Sequence, residues 1–281
     1  MKMKTIAAIS PSGIHDPQKL RQSIEMVTNW GHRILVGPNH EAHFLATAGT
    51  IQQRLEDVHW ANENPDIDII WFNRGGYGTA QLLPHLPKIL KPIIGFSDAT
   101  ALLSHLWNQE FQNLTPTMGF HGPVLNSLKS LCDPQSQEHI FQWLQSGKVP
   151  KLNAQHLLGP KVAIHGPMVG GNLCVLASLC GTPFQLQTKN CILALEDIAE
   201  PAYKIDRMLL QLEMSGLLKQ IQGIVLGSFH NCHSPHNATW DLLDVFNERL
   251  KHLQIPVYHQ APFGHDEINW IWQMGGIQEF E

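Results

Sequence analysis

Ile93-Ile-Gly-Phe-Ser97-Asp-Ala-Thr-Ala-Leu102 joins a short apolar run of β type directly to the start of a helical one, with a serine at the junction. A strand that turns straight into a helix is the joint of a βαβ unit, and similar joints recur upstream. Residues 5–9, 33–36 and 67–72 read as strands, and residues 92–95 as a fourth. Between the first two, Asp16-Pro17 supplies an N-cap and a first-turn proline, Leu20, Ile24 and Val27 share a helix face, and Gly31 ends the helix. A second helix starts near Thr50, with Ile51, Leu55 and Val58 on its apolar face. The expected fold class is α/β, with an N-terminal doubly wound, mainly parallel sheet.

Past residues 115–120 this alternation weakens, and the polar stretch 133–147 reads as a boundary or linker. The chain is accordingly divided into residues 1–148 and 149–281. In the second part, residues 191–195, 224–226 and 255–258 read as strands. Pro201 and Gly216 bracket an amphipathic helix with Ile205, Met208, Leu209 and Leu212 on one face. Gly166-Pro-Met-Val-Gly-Gly-Asn172-Leu173 reads as a strand-to-helix turn capped by Asn172, with a packing role between domains.

The composition belongs to a compact globular protein: of 281 residues, 43% are hydrophobic and only 15% charged, which excludes disorder and coiled coil. A formal charge of -5 argues against a nucleic-acid binder that works through a basic surface. The cysteines number 5, an odd count without a CxxC pair, as expected of a reduced, cytoplasmic protein. The apolar run 5–9 is too short for a signal-peptide core, and nothing approaches the roughly 18 apolar residues of a membrane span. Neither nucleic acid nor membrane is expected as a partner.

A serine between strand and helix stands where a nucleophile elbow places one, its hydroxyl over the carboxyl edge of the sheet and free helix N–H groups behind it. Ala99 replaces the usual last glycine of G-x-S-x-G. The plainer alternative is that Ser97 or Asp98 only caps the helix. Asn73-Arg-Gly-Gly-Tyr-Gly78 follows the third strand and emerges at the same edge. It matches neither a P-loop nor GxGxxG, so it reads as an oxyanion donor or substrate cradle, or else as a tight packed connection. Serine needs a base and an orienting acid. His265, just past the strand 255–258, and Glu196, at the end of another, could supply them, although either could equally meet solvent. His230, Cys232, His233 and His236 crowd one loop and could hold zinc, but a polar loop explains them without metal. No metal and no cofactor is expected.

In order along the chain, Ala8-Ile-Ser-Pro11, Arg74-Gly-Gly-Tyr-Gly78, Gly95-Phe-Ser-Asp-Ala-Thr-Ala-Leu102, His121-Gly-Pro123, Gly170-Gly-Asn-Leu173, Gly181-Thr-Pro183, Leu195-Glu-Asp-Ile198, Ile205-Asp-Arg-Met-Leu-Leu-Gln-Leu212, Gly227-Ser-Phe229 and Phe263-Gly-His265 resemble the LD-carboxypeptidase (muramoyltetrapeptide carboxypeptidase) family of serine peptidases. The resemblance implies a Ser-Glu-His triad of Ser97, Glu196 and His265, and a C-terminal domain of barrel-like β-structure and helices that carries the acid and base. It implies removal of a terminal D-alanine from cytoplasmic murein tetrapeptide during cell-wall recycling, through an acyl-enzyme, by a homodimer without metal. The N–H of Asp98 and one from Gly75 or Gly76 are the expected oxyanion donors, and Arg74 is a candidate reader of the substrate carboxylate.

After the histidine the chain departs from the family pattern, with Ile268-Asn-Trp-Ile-Trp-Gln-Met-Gly-Gly276 in place of a Leu-Pro-Leu-Gly-like stretch. A microcin-immunity relative that cleaves peptidyl-nucleotide antibiotics is the alternative within the family. A catalytically silent muropeptide binder is a further alternative, opposed by retention of all three triad residues. A generic α/β-hydrolase esterase is a third, opposed by the lack of an HGGG-type motif.

Overall fold

A computed structural model of the chain describes residues 3–281. Five parallel strands, β1 (Thr5–Ile9), β2 (Arg33–Val36), β3 (Ile69–Phe72), β4 (Ile93–Gly95) and β5 (Gly119–His121), form the first sheet in the order β5-β4-β3-β1-β2. Strands β1, β3, β4 and β5 are buried along their whole length, as expected of a parallel sheet covered on both faces by helices. Helices α1 (Pro17–Asn29), α2 (Ile51–Glu63), α3 (Thr100–Glu110), α4 (Leu125–Leu128) and α5 (Pro134–Ser146) accompany it. Strand order reverses between β1 and β3, and the loops leaving those two strands meet at the carboxyl edge of the sheet, where Gly13 N donates to Gly75 O at 3.0 Å and Asn73 Nδ2 to Ser10 Oγ at 2.9 Å.

The second sheet contains β6 (Gln155–Leu158), β7 (Ile164–Asn172), β8 (Ile192–Ile198), β9 (Gly223–His230), β10 (Val257–His259) and, after β11 (Trp272–Gln273), β12 (Ile277–Phe280). Its order is β12-β7-β8-β9-β10-β6, parallel from β7 to β10, with antiparallel β12 and β6 at its edges. The sheet curls into a half-barrel, flanked by α6 (Leu173–Leu179), α7 (Ala202–Met214) and α8 (Leu242–Leu250). Strand β11 belongs instead to the first sheet, where it pairs antiparallel with β5 as a sixth, edge strand and sets Trp272 opposite His121.

Three expectations change. The polar stretch 133–147 is helix α5, not a linker: Asp133 caps it through Ser136 N, Gly147 ends it in the left-handed region, and Ile140, Trp143 and Leu144 are buried. Helix α2 does start after a Thr50 capping box, but its inward face is Arg54, Asp57, Val58, Ala61 and Asn62, while Ile51 is 42% exposed. The loops beneath it at the sheet edge are polar, so the side chain it buries there is a multiple hydrogen-bond donor. Glu196 does not end its strand, because β8 continues to Ile198.

The two sheets meet through α3. Gly171, at φ +138, lies so close to Thr100 that an added Cβ would stand 2.5 Å from its Oγ1, and Asn172 N donates to that oxygen at 3.0 Å. Asn172 caps α6, as the sequence suggests, and its register partner is Glu196. One short contact therefore sets the first turn of α3 against the strand ends that carry the carboxylates.

Candidate active site

Strand β4 ends at Gly95, and Ser97 follows at φ +61, a left-handed conformation that a residue with a Cβ adopts at some cost. The strain comes from the tight turn, in which a single helical turn of 3₁₀ type over Ser97–Ala99 leads into α3. Gly95 makes the closeness possible, since a Cβ there would lie 2.8 Å from that of Ala99. Gly75 packs directly on the serine, and its Cβ would fall 2.7 Å from Ser97 Cβ and 2.9 Å from Oγ. The Asn73–Gly78 loop and the serine thus share one spot at the sheet edge. The N–H of Asp98, in the first helical turn, has no intrahelical acceptor.

Glu196 is fully buried, and the register between β8 and β9 shifts between Leu195 and Asp197, a bulge that re-aims the intervening side chain. Its Oε2 lies 2.6 Å from His265 Nδ1. A carboxylate accepts only, so Nδ1 carries the proton and Nε2 keeps its lone pair. Gly264, at φ +123, lets the loop pass with Cβ space only 3.1 Å from Glu196 Cβ, and Ser228 Oγ holds His265 N at 3.0 Å. The His265 ring lies 4.6 Å, centroid to centroid, from Phe96, the residue before the serine. Burial pulls its pKa down, but the charge and hydrogen bond of Glu196, with Asp197 and Asp266 behind, outweigh it and leave the pKa raised. Beside Glu196, burial lifts Asp197 to about 6, against hydrogen bonds from Ile198 N, Asn172 Nδ2 and Cys174 N.

The loop arginine, Arg74, is exposed and donates through Nη1 to Ile14 O, which ties its guanidinium to the loop that follows β1. In the histidine-rich loop, His230 Nδ1 pairs with Asp266, and among the described residues no group of three or more His, Cys, Asp or Glu converges as metal ligands would. The same residues contain no helix long and apolar enough to cross a membrane. An open cleft of about 1000 Å³ adjoins His265, lined among others by Gln135, His230, Asp266, Glu267 and Trp270.

His121 was legible only as part of a block resembling the family, yet it lies at the centre of the site. It is fully buried, stacks on Trp272 at 4.9 Å and meets Phe96 and Phe263 edge-on, and neither ring nitrogen has a partner. Burial lowers its pKa to about 4, partly opposed by the Glu196 charge. The folded state therefore resists a proton that the unfolded chain accepts below about 6.5, so stability falls as pH drops from there towards 4. His121→Phe should flatten this loss: its Tm at pH 5 should approach its Tm at pH 7, whereas the wild type drops by several degrees. Equal acid sensitivity in both proteins would show that other groups are responsible.

A strained serine joint on an α/β sheet, next to the Phe96 ring that packs on the imidazole of a buried carboxylate–imidazole pair from the second domain, is the equipment of a serine hydrolase. Two family models cover most of the chain: LD-carboxypeptidase N-terminal domain matches residues 6–118, and LD-carboxypeptidase C-terminal domain matches residues 165–279. The chain belongs to the LD-carboxypeptidase family. It is 35% identical over 285 residues to the murein tetrapeptide carboxypeptidase of Pseudomonas aeruginosa, covering 96% of this chain and 91% of that protein. The crystal structure of muramoyltetrapeptide carboxypeptidase from Oxalobacter formigenes superposes with a TM-score of 0.82 at 28% identity, over 98% of this chain and 94% of that one. The microcin C7 self-immunity protein MccF of Escherichia coli is also similar, 26% identical over 284 residues, with 88% of this chain and 81% of that protein covered.

Proposed function

We propose that the protein removes the terminal D-alanine from murein tetrapeptide at an L,D bond, with Ser97, Glu196 and His265 as its triad. The 2.6 Å Glu196–His265 pair beside the left-handed serine carries the reading. Ser97 Oγ attacks the carbonyl before D-alanine while His265 Nε2 takes its proton. The oxyanion faces the N–H of Asp98 and of Gly75 or Gly76. The imidazolium then protonates the amine of departing D-alanine, and water, deprotonated by the same nitrogen, hydrolyses the acyl-enzyme. Arg74 reads the terminal carboxylate with the guanidinium donors left over from Ile14. The family resemblance adds a cytoplasmic setting and a homodimer.

Hydrolysis of a peptidyl-nucleotide antibiotic, as the likeness to the self-immunity protein suggests, is less well served by the cleft. The part of the cleft beside His265, which does not reach Ser97 or Arg74, is lined by Asp266 and Glu267 and, among the described residues, by neither lysine nor arginine, which favours the amine of a dibasic residue over a phosphate there. Mass spectrometry of tetrapeptide incubated with the protein tests the proposal. Release of D-alanine supports it, and an untouched tetrapeptide with turnover of a peptidyl-nucleotide would overturn it.

The base must start neutral, so kcat/KM should rise with pH along a single-proton curve whose midpoint lies above the ordinary histidine value of about 6.5. The direction follows from the raised pKa of His265: more acid, more imidazolium, less base. A profile flat between pH 5 and 8, with the chemical step limiting, would remove His265 from this role.

A further inference from the structure

Two charged side chains lie buried under the serine turn, and the acyl transfer described above uses neither. Arg54 of α2 is 1% exposed, and Asp98 is 5% exposed. All the hydrogen bonds of the guanidinium go to neutral oxygens: Nε to Gly49 O at 3.2 Å, Nη1 to Pro11 O and Gly78 O at 2.8 Å each, and Nη2 to Gln81 Oε1 at 2.5 Å. Asp98 Oδ2 accepts from Ser12 Oγ at 2.6 Å and from Thr79 N at 2.8 Å. Thr79 Oγ1 lies 2.6 Å from Ser12 Oγ, so its hydroxyl can donate to the serine that donates to the carboxylate.

The partners of the two charges are adjacent in the chain. The peptide group between Gly78 and Thr79 gives its oxygen to Arg54 and its N–H to Asp98. The Pro11-Ser12 segment likewise gives a carbonyl to the cation and a hydroxyl to the anion. A buried guanidinium without a carboxylate in contact is costly unless its field is balanced nearby. Burial lowers the Arg54 pKa, and Asp98 is the main charge that opposes the fall. Gly78, at φ +122, has no Cβ because one would stand 2.6 Å from Arg54 Nη1. The same loop carries Gly75 against Ser97, and Gly75 O also receives Gly13 N at 3.0 Å.

We propose that Arg54 and Asp98 are positioning residues that act as one charge pair through the Gly78–Thr79 peptide and the Pro11-Ser12 segment, holding the glycine loop at Ser97 so that its N–H groups face the developing oxyanion. This rests on Ser97 as nucleophile and on the glycine loop as oxyanion donor. A shift of about 1 Å in such donors costs about 10²-fold in rate.

The test compares wild type, Asp98→Asn, Arg54→Lys and the double variant, with Ser97→Ala as control, by the rate of labelling with a fluorophosphonate, by kcat and KM on tetrapeptide, and by thermal melting. Asp98→Asn keeps the volume and Arg54→Lys keeps the buried charge, and thermal melting together with the titre of active sites counts the folded fraction of each variant. Rates are expressed per active site titrated, because a merely structural role would lower the number of active sites and not the rate of each. The expected result is a fall of about 10²-fold in kcat and in labelling rate for each single variant, KM within about twofold of wild type, and no further loss in the double variant. Wild-type per-site rates in the single variants, or losses that multiply in the double, would overturn the pair. A label found on a residue other than Ser97 would instead overturn the underlying assignment of the nucleophile.

Discussion

Ser97→Ala should lower kcat by about 10⁶-fold while leaving the melting temperature close to that of the wild type. The hydroxyl oxygen is the only heavy atom removed, and the Gly75 backbone that packs on the serine still meets its Cβ. The strain at φ +61 stays, because alanine also has a Cβ. Any residual rate comes from the oxyanion donors and substrate binding, which the variant keeps. D-alanine release followed by mass spectrometry, with calorimetry alongside, separates loss of chemistry from loss of fold. A variant that still turns over at a wild-type rate would show that another group attacks the substrate.

Glu196→Gln should cost about 10⁴-fold in kcat, although the side chain touches no substrate. The carboxylate can only accept, which keeps the proton on His265 Nδ1 and leaves Nε2 free to accept one, as the proposed mechanism requires. An amide can turn its NH₂ towards Nδ1, and the imidazole then carries its proton on Nε2 and cannot act as a base. The raised pKa of His265 should also fall once the charge is gone, so the remaining kcat/KM should reach its plateau at lower pH. The two readouts belong together: a rate loss without movement of the pH midpoint would mean that Glu196 acts only by packing.

Much of the site was legible in the sequence because its local chemistry is unusual. A serine between an apolar strand and a helix and a run of glycines after the preceding strand are short-range signals, and the structure places both at one sheet edge. Helix α1 is also local, with Asp16 accepting from Gln18 N and Lys19 N, ahead of Pro17, as the sequence suggests. Helix α5 had comparable signals in Asp133, Pro134 and Gly147, but its polar composition hid a buried stripe spaced three and four residues apart. Helix α2 failed for another reason. Its apolar residues suggest one inward face, and the loops that it covers demand a different one.

The sequence alone determined the alternation of strands and helices, the position of Ser97 on a turn and the family resemblance, because each depends on residues close together or on blocks in a fixed order. Tertiary structure alone decided which charges sit under that turn. Arg54 and Asp98 are 44 positions apart in the numbering and meet only through Pro11, Ser12, Gly78 and Thr79. It also decided that Glu196 points to His265 rather than to solvent, through a bulge against β9 and the fit of Gly171 on Thr100. Those choices arise where two sheets and three loops compete for the same space, and the low dielectric there makes every unpaired polar group costly. No pattern along the chain encodes that cost.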